Sequence, residues 1–137
     1  MPIPNSNEII RKFLVTPATP LFALVGTRIY CPRLPENASL PSISFFTRGG
    51  TSTPYIPDFI SPSVQFDCWA DNLIDARLVY RALYDLLQGI QQIPVVIGAT
   101  TYYIKSAIEE VQGQDLIDLD IQNYYRTLCF FSIIISE

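Results

Sequence analysis

Histidine is absent from this 137-residue chain. Its absence removes the commonest general base and the commonest metal ligand. Lysine is nearly as scarce, with only Lys12 and Lys105, so a lysine-assisted nucleophile has few candidates. Charge of either sign is low: charged residues make up 16% of the chain, where roughly a quarter is usual. Hydrophobic residues reach 49%, and a soluble chain of this kind is expected to hide extra apolar surface against a partner. Nine Lys/Arg against thirteen Asp/Glu leave a net charge of −4. Gripping nucleic acid requires the neutralisation of phosphates, so that task is not expected.

Cysteine is sparse too. Cys31, Cys68 and Cys129 are widely spaced, with no C-x-x-C, and read as reduced thiols of a cytosolic setting, buried as small hydrophobes. Met1–Asn7 holds two prolines and no apolar run, so a signal peptide is not expected there. Leu86–Ile104 is uncharged and long enough to cross a bilayer, for which about 20 residues are needed. Gly89, Pro94, Gly98 and three glutamines break it up, and no membrane span is expected. No repeat or low-complexity tract occurs. The length fits one domain covering residues 1–137.

Ten of the eleven prolines fall before residue 63, so the first half is punctuated and the second carries most of the regular structure. Asn5–Leu14 reads as a short amphipathic helix, capped by Asn5, Ser6 or Asn7, with Ile9, Ile10, Phe13 and Leu14 at helical spacing. Pro20 suits the first turn of a second helix, Leu21–Val25, which Gly26 caps. Thr27–Cys31 and Leu40–Thr47 read as strands. Ser63–Ala70 alternates cleanly, Val64, Phe66, Cys68 and Ala70 on one side and Gln65, Asp67 and Trp69 on the other. Asp71 or Asn72 caps the longest helix, about Asn72–Leu87, with Ala76, Val79, Tyr80, Leu83, Leu86, Leu87 and Ile90 in a stripe and Gly89 as the stop. Arg77, Arg81, Asp85 and Gln88 take its opposite face.

Val95–Ile97, Thr101–Val111 and Arg126–Ser136 are rich in β-branched and aromatic residues and read as strands. The last is apolar on both faces. It belongs in the middle of a sheet, or between a helix and a neighbouring subunit. Asp115–Asp120 fits a helical turn or an acidic loop. The predicted class is α+β: a mostly antiparallel sheet with one long helix packed across a face, short N-terminal helices and a long arm.

The arm is Arg48–Pro62, with two glycines, three prolines and two charges. Structureless stretches of about 12–15 residues inside a compact domain are uncommon and usually functional or disordered. Tyr55, Ile56 and Phe59 make permanent solvation unfavourable, so the arm is expected to be mobile in the free subunit and ordered on a partner. Arg48 opens it. Arg77 and Arg81 share a helical face that either meets an acidic partner or is simply solvated. These six residues are the candidate assembly residues.

No catalytic or metal constellation emerges, and no cofactor is expected. Asp115, Asp118 and Asp120 fail the calcium-loop spacing, because Ile117 stands at position 3 and Asp120 at position 6, where a glycine belongs. Gly49-Gly50 lacks the further glycines and the Lys-Ser/Thr pair of a phosphate loop. A small ligand-binding α+β module would require convergent polar groups in a pocket, and none cluster in the sequence. An enzyme using Asp67 or Asp75 with a metal lacks ligand spacing.

The run Leu24-Val25-Gly26-Thr27-Arg28-Ile29-Tyr30, then Leu34-Pro35 and Leu40-Pro41 before a strand, is one part of a resemblance. Val64-Gln65-Phe66-Asp67-Cys68-Trp69-Ala70-Asp71, Ala76-Arg77 and a closing Tyr125-Arg126-Thr127-Leu128 strand complete it. In this order they resemble the tail-completion (tail-terminator or head–tail joining) proteins of long-tailed bacteriophages, over about residues 10–135. The resemblance implies a homo-oligomeric ring, usually of six subunits, in the tail or neck of a virion assembled in the bacterial cytoplasm. Its partners would be the tail tube protein and the head-connector (neck) protein, with DNA passing the lumen without specific binding, no membrane and no enzymatic turnover. Another neck or tube component of a virion remains the alternative.

Overall fold

The computed structural model of the chain describes residues 5–31, 35, 39–52, 60–117 and 125–136. Their elements run α1 (Ser6–Leu14), α2 (Pro20–Val25), β1 (Ile29–Tyr30), β2 (Ser42–Ser52), β3 (Ile60–Ala70), α3 (Leu73–Leu87), β4 (Gln91–Ile97), β5 (Thr100–Ile117) and β6 (Tyr125–Ser136). The strands form one mixed sheet in the spatial order β1-β2-β3-β6-β5-β4. β1 runs parallel to β2, and the other neighbours pair antiparallel. The class is α+β.

Each helix starts where its side chains satisfy the free backbone donors of the first turn. The Asn5 side chain accepts from the Glu8 N–H, and Thr19 does the same for Phe22 with Pro20 at the first helical position. Asn72 accepts from the Asp75 N–H at 2.8 Å and donates to the Asp75 carboxylate at 3.0 Å. α2 ends at Gly26, whose φ of 58° is left-handed.

One core joins the helices to the sheet. Ile9, Ile10 and Leu14 of α1, Leu21 and Val25 of α2, and Val79, Leu83 and Leu87 of α3 meet Phe45, Phe66, Cys129, Phe131, Ile133 and Ile135. Phe45 stacks on Phe66 at 5.8 Å, and Phe66 meets Phe131 edge-on at 5.7 Å. α3 crosses β3, β6 and β5, whereas α1 touches β1 and β2 at one edge of the sheet and β4 at the other. The sheet therefore curls around the helical layer. All three helices share one face, and no described helix is long and apolar enough to cross a membrane.

β6 is central, between β3 and β5, in agreement with its two-sided apolar sequence. The β3 alternation also holds, with Val64, Phe66, Cys68 and Ala70 buried.

The arm expected over Arg48–Pro62 is corrected at both ends. Arg48–Ser52 complete β2 and Ile60–Pro62 begin β3, with Gly50 opposite Pro62, Thr51 opposite Ser61 and Ser52 opposite Ile60. A bulge between Thr47 and Gly50 shifts the register, which is why no hydrophobic period fits. Gly49 and Gly50 carry φ of 99° and 133°, so they shape the bulge rather than open a loop. A Cβ on Gly50 would collide with the Ser61 carbonyl oxygen. Pro62 lies in a gap of the β3–β6 ladder between Ile60 and Ser63, where its missing N–H costs no bond to β6. Tyr55, Ile56 and Phe59 lie outside the described residues.

Two further strands outrun their expected limits. β4 starts at Gln91 rather than Val95, as an edge strand that tolerates Pro94. β5 continues from Val111 to Ile117 through register shifts between Glu109 and Gln114. Asp115–Ile117 are thus strand, not helical turn or loop: Asp115 accepts from the Thr127 hydroxyl at 3.1 Å and pairs with Arg77 at 2.9 Å. Asp118 and Asp120 lie outside the described residues.

Candidate assembly surfaces

The sheet face turned away from the helices is partly bare. Cross-strand register places Phe46, Gln65, Phe130 and Val111 in one row, and Ser63, Ser132 and Ile108 in the next. Alternation puts these residues opposite the core set. Large apolar side chains stand in solvent there: Ile108 is 56% exposed and Val111 49%, with Val96 and Tyr103 also exposed toward β4. Arg48 belongs to this face, its guanidinium 4.7 Å from the Phe130 ring centroid, and Lys105 lies 5.3 Å from the Tyr103 ring. Glu110 accepts from the Ser63 hydroxyl at 2.8 Å.

Toward the β2–β3–β6 end the same face turns polar and closed. Asp67 is 4% exposed and pairs with Arg126 at 3.4 Å. Arg126 also lies over the Trp69 ring, whose indole N–H donates to Ser44 at 2.9 Å. Burial raises the Asp67 carboxyl above its ordinary value of 3.8, and Arg126 and Gln65 only partly oppose this. Asp67 is therefore a structural buried acid held by a cation. Among the described residues no cluster of three or more His, Cys, Asp or Glu forms a metal site. Burial also pushes up the Cys68 and Cys129 thiols, which removes their nucleophilic form.

The second surface is the outer face of α3. Ala76, Val79, Ala82, Leu83 and Leu87 face the core, and Ile74 and Leu78 point the other way, 77% and 49% exposed. Next to Leu78 a groove of about 290 Å³ runs between α2 and α3, with Leu24, Pro41, Ala70 and Val79 in its walls and Asp71 and Asp75 at its rim. Further along, Arg77 is tied to Asp115 and to the Gly113 carbonyl, and its guanidinium lies over Tyr80 at 5.5 Å. Arg81 makes no hydrogen bond or ion pair among the described residues. It lines a shallow cavity of about 260 Å³ with Arg77, Tyr80, Tyr84 and Gln112.

The structure thus separates the sequence-derived candidates. Arg48 lies on the bare sheet face, and Arg77 and Arg81 lie on α3 across the core from it. Arg77 is largely a local fastener of α3 to β5, whereas Arg81 is available to a partner. Sequence reasoning missed Ile74, Leu78, Ile108 and Val111. Ile74 and Leu78 left a signal, as apolar residues off the core stripe of an otherwise polar helical face.

No protein-family model and no curated protein matches the chain. A solved structure does: a chain from the virion of a native gene transfer agent (GTA) particle, at 15% sequence identity and a TM-score of 0.61. The alignment covers 95% of this chain and 93% of that chain, so the likeness extends over the whole fold of both, and at this identity it is a likeness of fold.

Proposed function

We propose that the chain is a structural, non-enzymatic component of a phage-like virion, acting as the ring-forming subunit that completes the tail. The whole-chain fold likeness to a virion chain of a gene transfer agent particle carries this reading. In its finer form six copies close a ring at the top of the tail, end tube growth and dock the tail on the connector beneath the head. Two observations support it. The molecule exposes apolar side chains on two unlike surfaces, the bare sheet face and the outer face of α3, as a subunit with a different neighbour on each side requires. The net charge of −4 also suits a lumen that lets DNA slide, because a basic lining would hold it.

The test is electron cryomicroscopy of particles purified from a host that produces this chain, alongside particles lacking it. The expected result is a ring of this fold between tail tube and head, and unjoined heads and tails without it. Absence of the chain from purified particles, or a single copy per particle, overturns the reading.

A further inference from the structure

We infer that successive copies of this chain join head-to-tail, the outer face of α3 on one copy seating against the bare sheet face of the next around Ile108 and Val111. This rests on the ring reading above and names the surfaces that would build it.

The occupant of each surface is argued from the other. Ile74 and Leu78 project from the outer face of α3, beside a groove walled by Leu24, Pro41, Ala70 and Val79. On the opposite side of the molecule Ile108 and Val111 project from the sheet. The α3 surface offers an apolar recess beside a helical ridge, and the sheet face offers apolar side chains that such a recess admits. A two-fold dimer through either surface alone would leave the other bare. A heterologous chain of copies covers both on every subunit once it closes.

The charges agree with this pairing. Asp71 and Asp75 rim the α3 groove. Arg48 and Lys105 flank the sheet patch, held over Phe130 and Tyr103, and both are cationic. Arg81 on α3 has no partner among the described residues, and Glu110 on the sheet face, which accepts from the Ser63 hydroxyl, carries the opposite charge. Exposed Asp85 also lies on the outer face of α3. Opposite charge across an interface sets register and rejects wrong partners more than it adds affinity.

Cysteine cross-linking decides the question. In a Cys31→Ser background, which removes the exposed native thiol, Leu78→Cys and Val111→Cys are made separately and together. Mild oxidation of the separate variants, each alone at high concentration, is expected to leave monomer. Their equimolar mixture is expected to give a cross-linked dimer, and the double variant a ladder that ends at one closed species. A disulfide dimer formed by either variant alone, or no cross-link in the mixture and in particles assembled from the double variant, overturns the inference. Failure here with a ring still visible in particles moves the interface elsewhere and leaves the tail-completion reading standing. Ring-less particles with a positive cross-link do the reverse.

Discussion

The Tyr80 ring occupies the space that a side chain at residue 113 would need. A Cβ on Gly113 would lie 2.8 Å from the ring carbons Cε2 and Cζ and 2.9 Å from the Thr127 methyl. The Tyr80 hydroxyl then accepts the Gly113 N–H at 3.1 Å and donates to Glu109 at 2.5 Å. α3 is thereby locked to β5 across its irregular stretch, with Gln88 adding a bond to the Glu109 N–H. Gly113→Ala should cost about 1–3 kcal/mol through overpacking, read as a lower denaturant midpoint at unchanged slope. Unchanged stability would mean that the ring swings aside freely.

The same lock sets an alkaline prediction. Burial and the Glu109 hydrogen bond push the Tyr80 phenol up to about 12 from 10.0. Its folded value lies above its unfolded value, so the neutral phenol's stabilisation is complete below pH 10 and is lost as pH rises toward 12. One tyrosine should therefore titrate late in an absorbance titration, and Tyr80→Phe should remove that late step. If all tyrosinates appear together, the hydroxyl is not held as described.

Leu83 is fully buried on the core side of α3. Leu83→Ala should cost about 2–5 kcal/mol, the range for large-to-small changes in a packed core. A loss below about 1 kcal/mol in denaturant melts would show that the helix can settle into the space.

What the sequence made legible follows from how regular each element is. α3 was readable because Asn72 is a strong cap and the core stripe keeps helical spacing without interruption. β6, and β3 from Ser63 onward, were readable because their side chains alternate, or are apolar on both sides, without a slip. β2, β5 and the first residues of β3 were not readable to their ends. A bulge reverses the inward–outward parity, and the shifts at Thr47/Gly50 and between Glu109 and Gln114 make strand residues look like loop. The face on which Arg48 lies depends on that bulge, so its stacking on Phe130 had no local signal. Ile74 and Leu78 were legible in principle, as apolar residues off the core stripe of α3.

Asp67 supplies a prediction in acid. Its folded value is raised, so between 3.8 and that value the folded protein holds a proton that the unfolded chain releases. Stability from this group is therefore greatest at low pH and declines as pH rises above 3.8. Asp67→Asn cannot titrate. The stability of the native protein relative to this variant should fall as pH rises through the acid range, measured by parallel denaturant melts. A difference that stays flat would place Asp67 in water, and one that grows with pH would mean that Arg126 outweighs burial.

The glycine bulge tests whether the far end of the β2–β3 hairpin is separable from the core. Gly50 holds a φ of 133° and approaches the Ser61–Pro62 backbone too closely for any side chain. Gly50→Ala must therefore break the local pairing rather than adjust it. The pairs Thr51–Ser61 and Ser52–Ile60 lie beyond the bulge, whereas Phe45–Phe66 and Ile43–Cys68 lie before it in the core. Hydrogen exchange should consequently quicken at the amides beyond residue 49 and at 60–61, while Phe45 and Phe66 keep their protection. If the core amides lose protection equally, the hairpin end and the core unfold as one unit. If the change stays local, the variant becomes a probe of assembly: a subunit with an intact core and a disturbed hairpin end should still fold, and particle yield then reports whether that end touches a neighbour.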